Sequence, residues 1–140
     1  MLMSRHHVLT LFVLIATMGV VLLWLFDPAH SHIFPPCPVH YFTGLYCPGC
    51  GSLRAIHALL HGDLRQAWAM NALTITMLPL IAYGSASEIH MRFRSRPLLA
   101  IRVPANWIRA LFALIVLFGI ARNLPFHPFD WLAPGALMHL

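Results

Sequence analysis

VLTLFVLIATMGVVLLWLF, the run from Val8 to Phe26, contains no charged residue in 19 positions. A helix needs about 20 apolar residues to cross a hydrocarbon core of roughly 30 Å. The apolar part of a secretory signal is usually only about 7–15 residues long and ends at a small-residue cleavage site. This run leads instead into Asp27-Pro28-Ala29-His30. We therefore predict an uncleaved membrane anchor at 8–26.

A second apolar run predicts a helix from Leu64 to about Ser87, with a membrane span at 67–87. Asp63 is placed to cap this helix, and Gln66 three residues later can complete a capping box. Pro79 should bend the helix, because proline lacks a backbone donor and clashes with the preceding turn.

A third apolar run, at 107–121, is short for a span. Trp107 and Arg109 suit one membrane interface and Arg122 suits the other, since arginine side chains extend to the polar layer. We predict a slightly tilted third span. The segment 122–140, rich in proline and aromatic residues, predicts an interfacial tail.

The composition supports a membrane protein. Of 140 residues, 59% are hydrophobic and only 9% are charged, with a mean hydropathy of +0.74. These values exclude most soluble domains and exclude disorder, which needs low hydrophobicity and many charges. The predicted fold class is a single all-α integral membrane domain, 1–140, with three transmembrane helices and one short interfacial or re-entrant amphipathic helix.

The nine basic residues are all arginine, and the formal net charge is +5. They are not interleaved with base-stacking aromatic residues, so we expect no nucleic-acid partner. Arginines are enriched in cytoplasmic loops of membrane proteins, and a cytoplasmic N-terminus places six inside and three outside. The predicted cytoplasmic set is Arg5, Arg92, Arg94, Arg96, Arg102 and Arg109, and the outer set is Arg54, Arg65 and Arg122.

This orientation gives an outer loop at 27–66, a cytoplasmic arginine-rich loop at 88–106 and a C-terminus outside. All three cysteines lie in the outer loop. Within it, Ser52 can cap a helix that runs to about His61, and Gly62 can end it. Ten residues make a helix of roughly 15 Å, about half a bilayer. Its polar stripe, formed by Arg54, His57 and His61, is expected to face solvent or headgroups.

The cysteine segment permits three interpretations. The first is a zinc site, in which Cys37-x-x-His40 and Cys47-x-x-Cys50 supply two ligand pairs. Two intervening residues let one tight turn present both side chains to one ion, and a following glycine lets backbone amides approach the sulfurs. Only six residues separate the pairs, so His57 or His61 is the alternative fourth ligand to His40.

The second interpretation is redox chemistry, because Cys47 and Cys50 precede a helix N-terminus that favours the thiolate. Cys37 would then be a shuttle or resolving thiol. The third is a structural disulfide, which would be worth about 2–3 kcal/mol in the chain-entropy model but would leave one cysteine over. The sequence leaves these three open.

The segment from Cys37 onward resembles a family of small bacterial membrane proteins of unknown function. Its signature is C-P-x-H, T-G-L-x-C-P-G-C-G-x-x-R-A, L-x-G-D and N-P-L, followed late by R-N-x-P and W-L-A-P. The matching segments here are 37–40, 43–55, 60–63, 122–125 and 131–134. The chain has Asn71-Ala72-Leu73 in place of N-P-L, so its second span is expected to start without a kink.

The resemblance implies a multi-pass protein of the bacterial inner membrane and leaves its activity open. The motif positions that it marks are Cys37, Cys47, Cys50, Gly51, Arg54 and Asn71, and Arg122 opens its late motif.

From these features we predict a non-catalytic accessory or scaffold subunit whose outer cysteine loop is ordered by a metal or a disulfide. The expected partners are the lipid bilayer and other membrane proteins. A membrane thiol-disulfide oxidoreductase using Cys47 and Cys50 is the alternative. Burying polar groups near a bilayer is costly, so each of Arg54, Asn71 and Arg122 should have a partner or face headgroups. Asp27, Asp63 and Asp130 are the candidate partners.

Overall fold

The computed structural model describes residues 5–31, 33–94 and 104–135. Within these ranges the chain forms α-helices and one 3₁₀ helix and contains no strand, which confirms the predicted all-α class. The helices are α1 (Arg5–Leu25), α2 (Pro38–Thr43), α3 (Ser52–Leu60), α4 (Leu64–Met70), α5 (Ala72–Arg94) and α6 (Ala105–Ala121), and the 3₁₀ helix covers Phe129–Leu132.

One helical segment among the described residues is long and apolar enough to cross a membrane, Ala72–Met91 in α5. It passes through Pro79 without ending. Two shorter apolar helices, Thr10–Leu25 and Ala105–Ala121, lie where the first and third spans were predicted. Large apolar side chains on both are exposed, among them Ile15 on α1 and Leu117 on α6. That all three helices cross a bilayer stays a prediction.

The continuous helix predicted from Leu64 to Ser87 is wrong. It is broken at Asn71, whose backbone is extended, with φ −162° and ψ 94°. The Asn71 side chain caps the next helix, because its Oδ1 accepts the Thr74 backbone N–H at 3.0 Å. The expectation that α5 starts without a kink is therefore also wrong: the asparagine makes the break without the proline. Beyond the break α5 runs to Arg94, into the loop predicted at 88–106, of which 95–103 lie outside the described residues.

The interior is built where α3 packs on α4. Ala55 and Ala58 of α3 and Ala67 and Ala69 of α4 are all buried. Such small side chains let two helix backbones approach closely. Gly62, with φ +80°, turns the chain between the two helices. Asp63 then caps α4 as predicted, since its Oδ1 accepts the Gln66 backbone N–H at 2.8 Å.

The helix α3 is also tied to α1. His57 Nδ1 lies 2.5 Å from the Leu23 carbonyl oxygen, and the His61 ring stacks on Trp24 with 6.1 Å between centroids. The predicted polar stripe is thus divided: its two histidines bind α1, whereas Arg54 is exposed. These contacts hold the second half of α3 against the end of α1.

Candidate metal centre

The turn that carries two of the cysteines is Cys47-Pro48-Gly49-Cys50. The Cys50 backbone N–H donates to the Cys47 carbonyl at 3.0 Å and closes it. Gly51 follows with φ +83° and occupies the N-cap position of α3. A Cβ at Gly51 would lie 2.6 Å from the Met70 carbonyl oxygen, so both the conformation and the space require glycine here.

Ser52 does not cap α3, which corrects the sequence prediction. Its hydroxyl lies 2.7 Å from Thr74 Oγ1 at the start of α5 and 3.2 Å from Asn71 Nδ2. The residue that begins α3 therefore joins the cysteine turn to the break between α4 and α5.

Cys37 reaches the same place from α2, for which it is the N-cap residue, with Pro38 in the first turn. Proline suits that turn because its fixed φ is helical and its missing N–H would have no partner there. The short helix aims the His40 backbone N–H at the Cys37 sulfur. An amide donor of this kind stabilises a thiolate.

The three thiols converge. Cys47 Sγ lies 3.4 Å from Cys37 Sγ and 3.3 Å from Cys50 Sγ, and all three sulfurs lie within 4.8 Å of one another. None of the three is in a disulfide. Sulfurs on a tetrahedral zinc ion are about 3.8 Å apart, given Zn–S bonds of about 2.3 Å. The spacing therefore suits three ligands of one ion.

The thiols differ in acidity. The His40 backbone N–H lowers the pKa of Cys37 to about 7, with help from the neighbouring thiols. Burial raises the pKa of Cys50 to about 12, and the adjacent sulfurs raise it further. Cys37 is thus the thiol that ionises first, whereas a cation would be needed to hold Cys50 as a thiolate at neutral pH.

Two buried polar side chains hold the backbone of the cysteine turn. Arg122 Nη1 donates to the carbonyls of Cys47 at 3.1 Å, Pro48 at 3.3 Å and Cys50 at 3.1 Å. Asn71 Nδ2 donates to the Pro48 and Cys50 carbonyls at 2.9 and 3.1 Å. Arg122 is 2% exposed and Asn71 is 1% exposed. The turn is therefore fixed from α6 and from the α4–α5 break together.

Asn123 fixes the residue before the turn. Its Oδ1 accepts the Tyr46 backbone N–H and its Nδ2 donates to the Tyr46 carbonyl, both at 2.8 Å. The turn also packs on α6 at Gly119, where an added Cβ would lie 2.9 Å from Pro48 Cγ. A glycine in α6 thus allows the close approach that these hydrogen bonds need.

Arg122 is not satisfied by these carbonyls. Its Nε and Nη2 atoms are buried and have no hydrogen-bond partner within residues 5–31, 33–94 and 104–135. The guanidinium carbon lies 5.1 Å from the centre of the Phe118 ring and 5.9 Å from that of Tyr46. The cation interacts electrostatically with Cys50 and Cys47, so ionised thiols would supply the negative charge that a buried guanidinium requires.

Residues 37–84 match the model of the DUF2752 family, whose description is a protein of unknown function. This DUF2752 segment covers less than half of the chain and contains the three cysteines, Gly51 and Asn71. Arg122 and Asn123, which hold the turn, lie beyond it. No curated protein and no solved structure matches the chain.

The histidines proposed as ligands are not among the three residues whose ligand atoms converge. The His40 ring is exposed and stacks on Tyr46 with 4.6 Å between centroids. His57 and His61 face α1, as described above. A ligand role for any of them stays a prediction.

The structure does not pair Asn71 or Arg122 with the acidic residues that were expected to bind them. Asp27 accepts the Ala29 backbone N–H, Asp63 caps α4, and Asp130 Oδ1 lies 3.4 Å from His127 Nδ1. Asn71 and Arg122 bind backbone carbonyls instead. Sequence reasoning did not single out Asn123 or Gly119, although Asn123 belongs to the R-N-x-P motif and stands next to Arg122.

A cleft of about 590 Å³ opens beside Cys37 and Cys50. Part of its wall consists of the proline-rich stretch before Cys37 and of Pro134 from the tail. The tail is held there because the Gly135 backbone N–H donates to the Ala69 carbonyl at 3.1 Å. The segment predicted as an interfacial tail therefore helps to build the site, and its last residues, 136–140, lie outside the described part.

Proposed function

We propose that this protein is a small membrane-embedded accessory subunit whose outer loop is organised by one divalent metal ion, zinc being the expected one, bound by Cys37, Cys47 and Cys50. The observation that carries the proposal is the convergence of the three sulfurs above a buried arginine. Non-catalytic docking to a larger membrane assembly is the role that such a loop would serve.

Charge balance supports a metal-thiolate centre. Three thiolates on one divalent cation leave one excess negative charge, and metal ions hold thiols in the ionised form. Arg122, fixed under the turn with two unpartnered nitrogen atoms, supplies one positive charge. A neutral buried pair of this kind removes the main cost of burying either group alone.

The membrane part of the proposal rests on the apolar helices. Besides the membrane-length segment in α5, α6 exposes large apolar side chains such as Trp107 and Phe112, which are 69% and 68% exposed. Monomeric soluble proteins rarely leave apolar surface of this extent in water. Lipid is the solvent that suits it, with the protein in a bacterial inner membrane and its N-terminus in the cytoplasm.

The deciding experiment is elemental analysis of the detergent-purified chain together with thiol counting. We expect one zinc per chain, lost on Cys50→Ser substitution, and three thiols without prior reduction. A chain without metal that shows one thiol before reduction and three afterwards would replace the metal centre by a disulfide.

Arg122 offers a second test of the same centre. We expect Arg122→Met to weaken zinc binding at least tenfold in competition with a chelator, because the excess negative charge loses its counter-ion. Arg122→Lys should retain more of the affinity, and Arg65→Met, which changes an exposed arginine on α4, should bind zinc as the unaltered chain does. Equal affinity in the Met and Lys variants would contradict the counter-ion role.

The alternative function, a membrane thiol-disulfide oxidoreductase, is favoured by one observation: the pKa of Cys37 is lowered to about 7 beside a second thiol 3.4 Å away. In that reaction two thiols are oxidised to a disulfide while a substrate disulfide is reduced to two thiols, through a mixed disulfide. This observation makes Cys37 the attacking thiol and Cys47 the resolving one, which reverses the roles predicted from the sequence. Trapping of a mixed disulfide with a partner protein by Cys47→Ser would establish the reaction.

A further inference from the structure

The chain supplies three converging donors, whereas zinc and related divalent ions take four in tetrahedral sites. Two of the three cysteines, Cys37 and Cys50, also line the cleft of about 590 Å³. That volume falls in the range of pockets that hold small molecules, about 300–1,000 Å³. The coordination sphere of the proposed metal therefore has a gap on the side where a small molecule has access.

His40 lines the same cleft and is the residue that sequence spacing offers for the fourth position. Its ring is instead stacked on Tyr46, and its ligand atoms do not join the sulfur cluster. Its backbone N–H already serves the cluster by donating to Cys37. The geometry thus gives His40 a supporting position in the wall of the cleft.

The charges around the gap indicate what would fill it. Arg122 already balances the one excess negative charge of a three-thiolate centre. A second cation, Arg54, is exposed and lines the cleft, so it is available to an anion that enters there. A metal ion bound by three soft sulfur ligands also favours a soft donor.

We propose that the metal keeps its fourth position open to the cleft and there binds an exogenous small-molecule thiolate that carries a second negative group, which Arg54 contacts. This rests on the three-cysteine metal centre proposed above. The thiol loses its proton to solvent on binding, the metal–sulfur bond replaces a metal-bound water, and nothing is oxidised or reduced.

The test uses the full chain in detergent, loaded with Co²⁺ without oxygen. Thiolate-to-cobalt charge-transfer bands that disappear in Cys50→Ser establish the metal centre itself, and their absence would overturn the proposed function. With the centre established, 3-mercaptopropionate is titrated and the visible cobalt bands are followed. We expect a saturable change, and a starting spectrum in His40→Ala that matches the spectrum of the unaltered chain.

The binding constants separate the parts of the proposal. Arg54→Ala should weaken 3-mercaptopropionate binding at least fivefold while leaving neutral 2-mercaptoethanol unchanged, and Arg65→Ala should leave both unchanged. If Arg54→Ala weakens the binding of neither thiol, or weakens the binding of both equally, the role of Arg54 is overturned. A neutral peptide with one cysteine that binds more tightly than 3-mercaptopropionate would overturn the small-molecule ligand and assign the thiolate to a protein partner.

Two results would overturn the open position. One is a spectrum that no thiol changes in the unaltered chain. The other is a spectrum that becomes thiol-sensitive only in His40→Ala, which would make His40 the fourth ligand of a closed site.

Discussion

The three cysteines stand within one cluster yet have different environments. Cys37 is at the helix start of α2, where an amide N–H donates to its sulfur. Cys50 is 7% exposed, and burial is the main influence on the pKa of its thiol. Identical side chains therefore differ in acidity because of local backbone geometry and solvent access.

This difference predicts selective alkylation of the reduced, metal-free chain. The pKa of Cys37 is lowered, so its reactive thiolate forms as the pH rises through about 7. We expect iodoacetamide to modify Cys37 first, at a rate that rises between about pH 6 and 8 and then levels off. Cys50, with its raised pKa, should stay unmodified over this range. Mass spectrometry of the digested protein gives the order, and first modification at Cys50 would contradict it.

Gly51 combines a left-handed backbone with a space that no side chain can share. Its φ is +83°, and a Cβ would lie 2.6 Å from the Met70 carbonyl. Gly44 has a similar φ of +72° with nothing within 4 Å of a Cβ. Alanine substitutions at Gly44 and Gly51 therefore separate the free-energy cost of a left-handed backbone from that of the steric clash.

We expect Gly44→Ala to cost about 1 kcal/mol of unfolding free energy, the usual cost of a left-handed alanine. Gly51→Ala should cost at least about 3 kcal/mol, because α4 must also move. Chemical unfolding of both variants in detergent measures the difference. Equal costs would show that the contact with Met70 yields easily.

At the level of elements, the break between α4 and α5 is what brings polar groups to the cysteine turn. Asn71 leaves the helical conformation, caps α5 through Thr74 and donates to two carbonyls of the turn. A continuous helix would keep its backbone bonds but would lose these contacts. The tertiary hydrogen bonds therefore outweigh one interrupted helical turn.

Asn71→Ala should destabilise the chain by about 2–3 kcal/mol, because it removes a cap and leaves buried carbonyls with fewer donors. It should also lower zinc affinity, since the backbone of the cysteine turn loses one of the buried side chains that hold it. Asn106→Ala is the matched control, because Asn106 is exposed in the first turn of α6, and we expect a change below about 0.5 kcal/mol. Similar losses in both variants would contradict the special role of the break.

At the scale of the whole molecule, the site draws on parts that are distant in sequence. The turn at 47–50 is held by Asn71 from the helix break and by Arg122 at the end of α6, and Asn123 holds Tyr46 just before it. The tail returns through Gly135 to α4. Metal binding is therefore expected to stabilise the arrangement of the helices as well as the loop, since binding to the folded state alone shifts the unfolding equilibrium.

The proposed topology predicts where introduced cysteines react. In a chain whose native cysteines are replaced by serine, Ala29→Cys should react with a membrane-impermeant maleimide in sealed right-side-out vesicles. Asn106→Cys should react only after the membrane is disrupted, because the proposed span in α5 separates the two positions. The reverse pattern would place the N-terminus outside. Reaction of both in sealed vesicles would show that no span, or an even number of spans, separates them.

The sequence alone determined the local features of this protein. Apolar runs are a property of consecutive residues, so the helices at 8–26 and 107–121 were placed to within about three residues of α1 and α6. The cap at Asp63, the turn at Gly62 and the clustering of three cysteines within one loop also follow from short-range patterns. The cysteine segment was sufficient to predict a metal site, a redox pair or a disulfide.

Only the tertiary structure decided how these pieces meet. The break at Asn71 arises because a hydrogen bond to a distant turn competes with a local helix, and hydropathy does not register that competition. Arg122 is a second example. The sequence predicted that it lies at a membrane interface, but folding buries it under the cysteine turn. Ligand geometry and charge pairing depend on distances between remote segments, and those distances are fixed only when the helices pack.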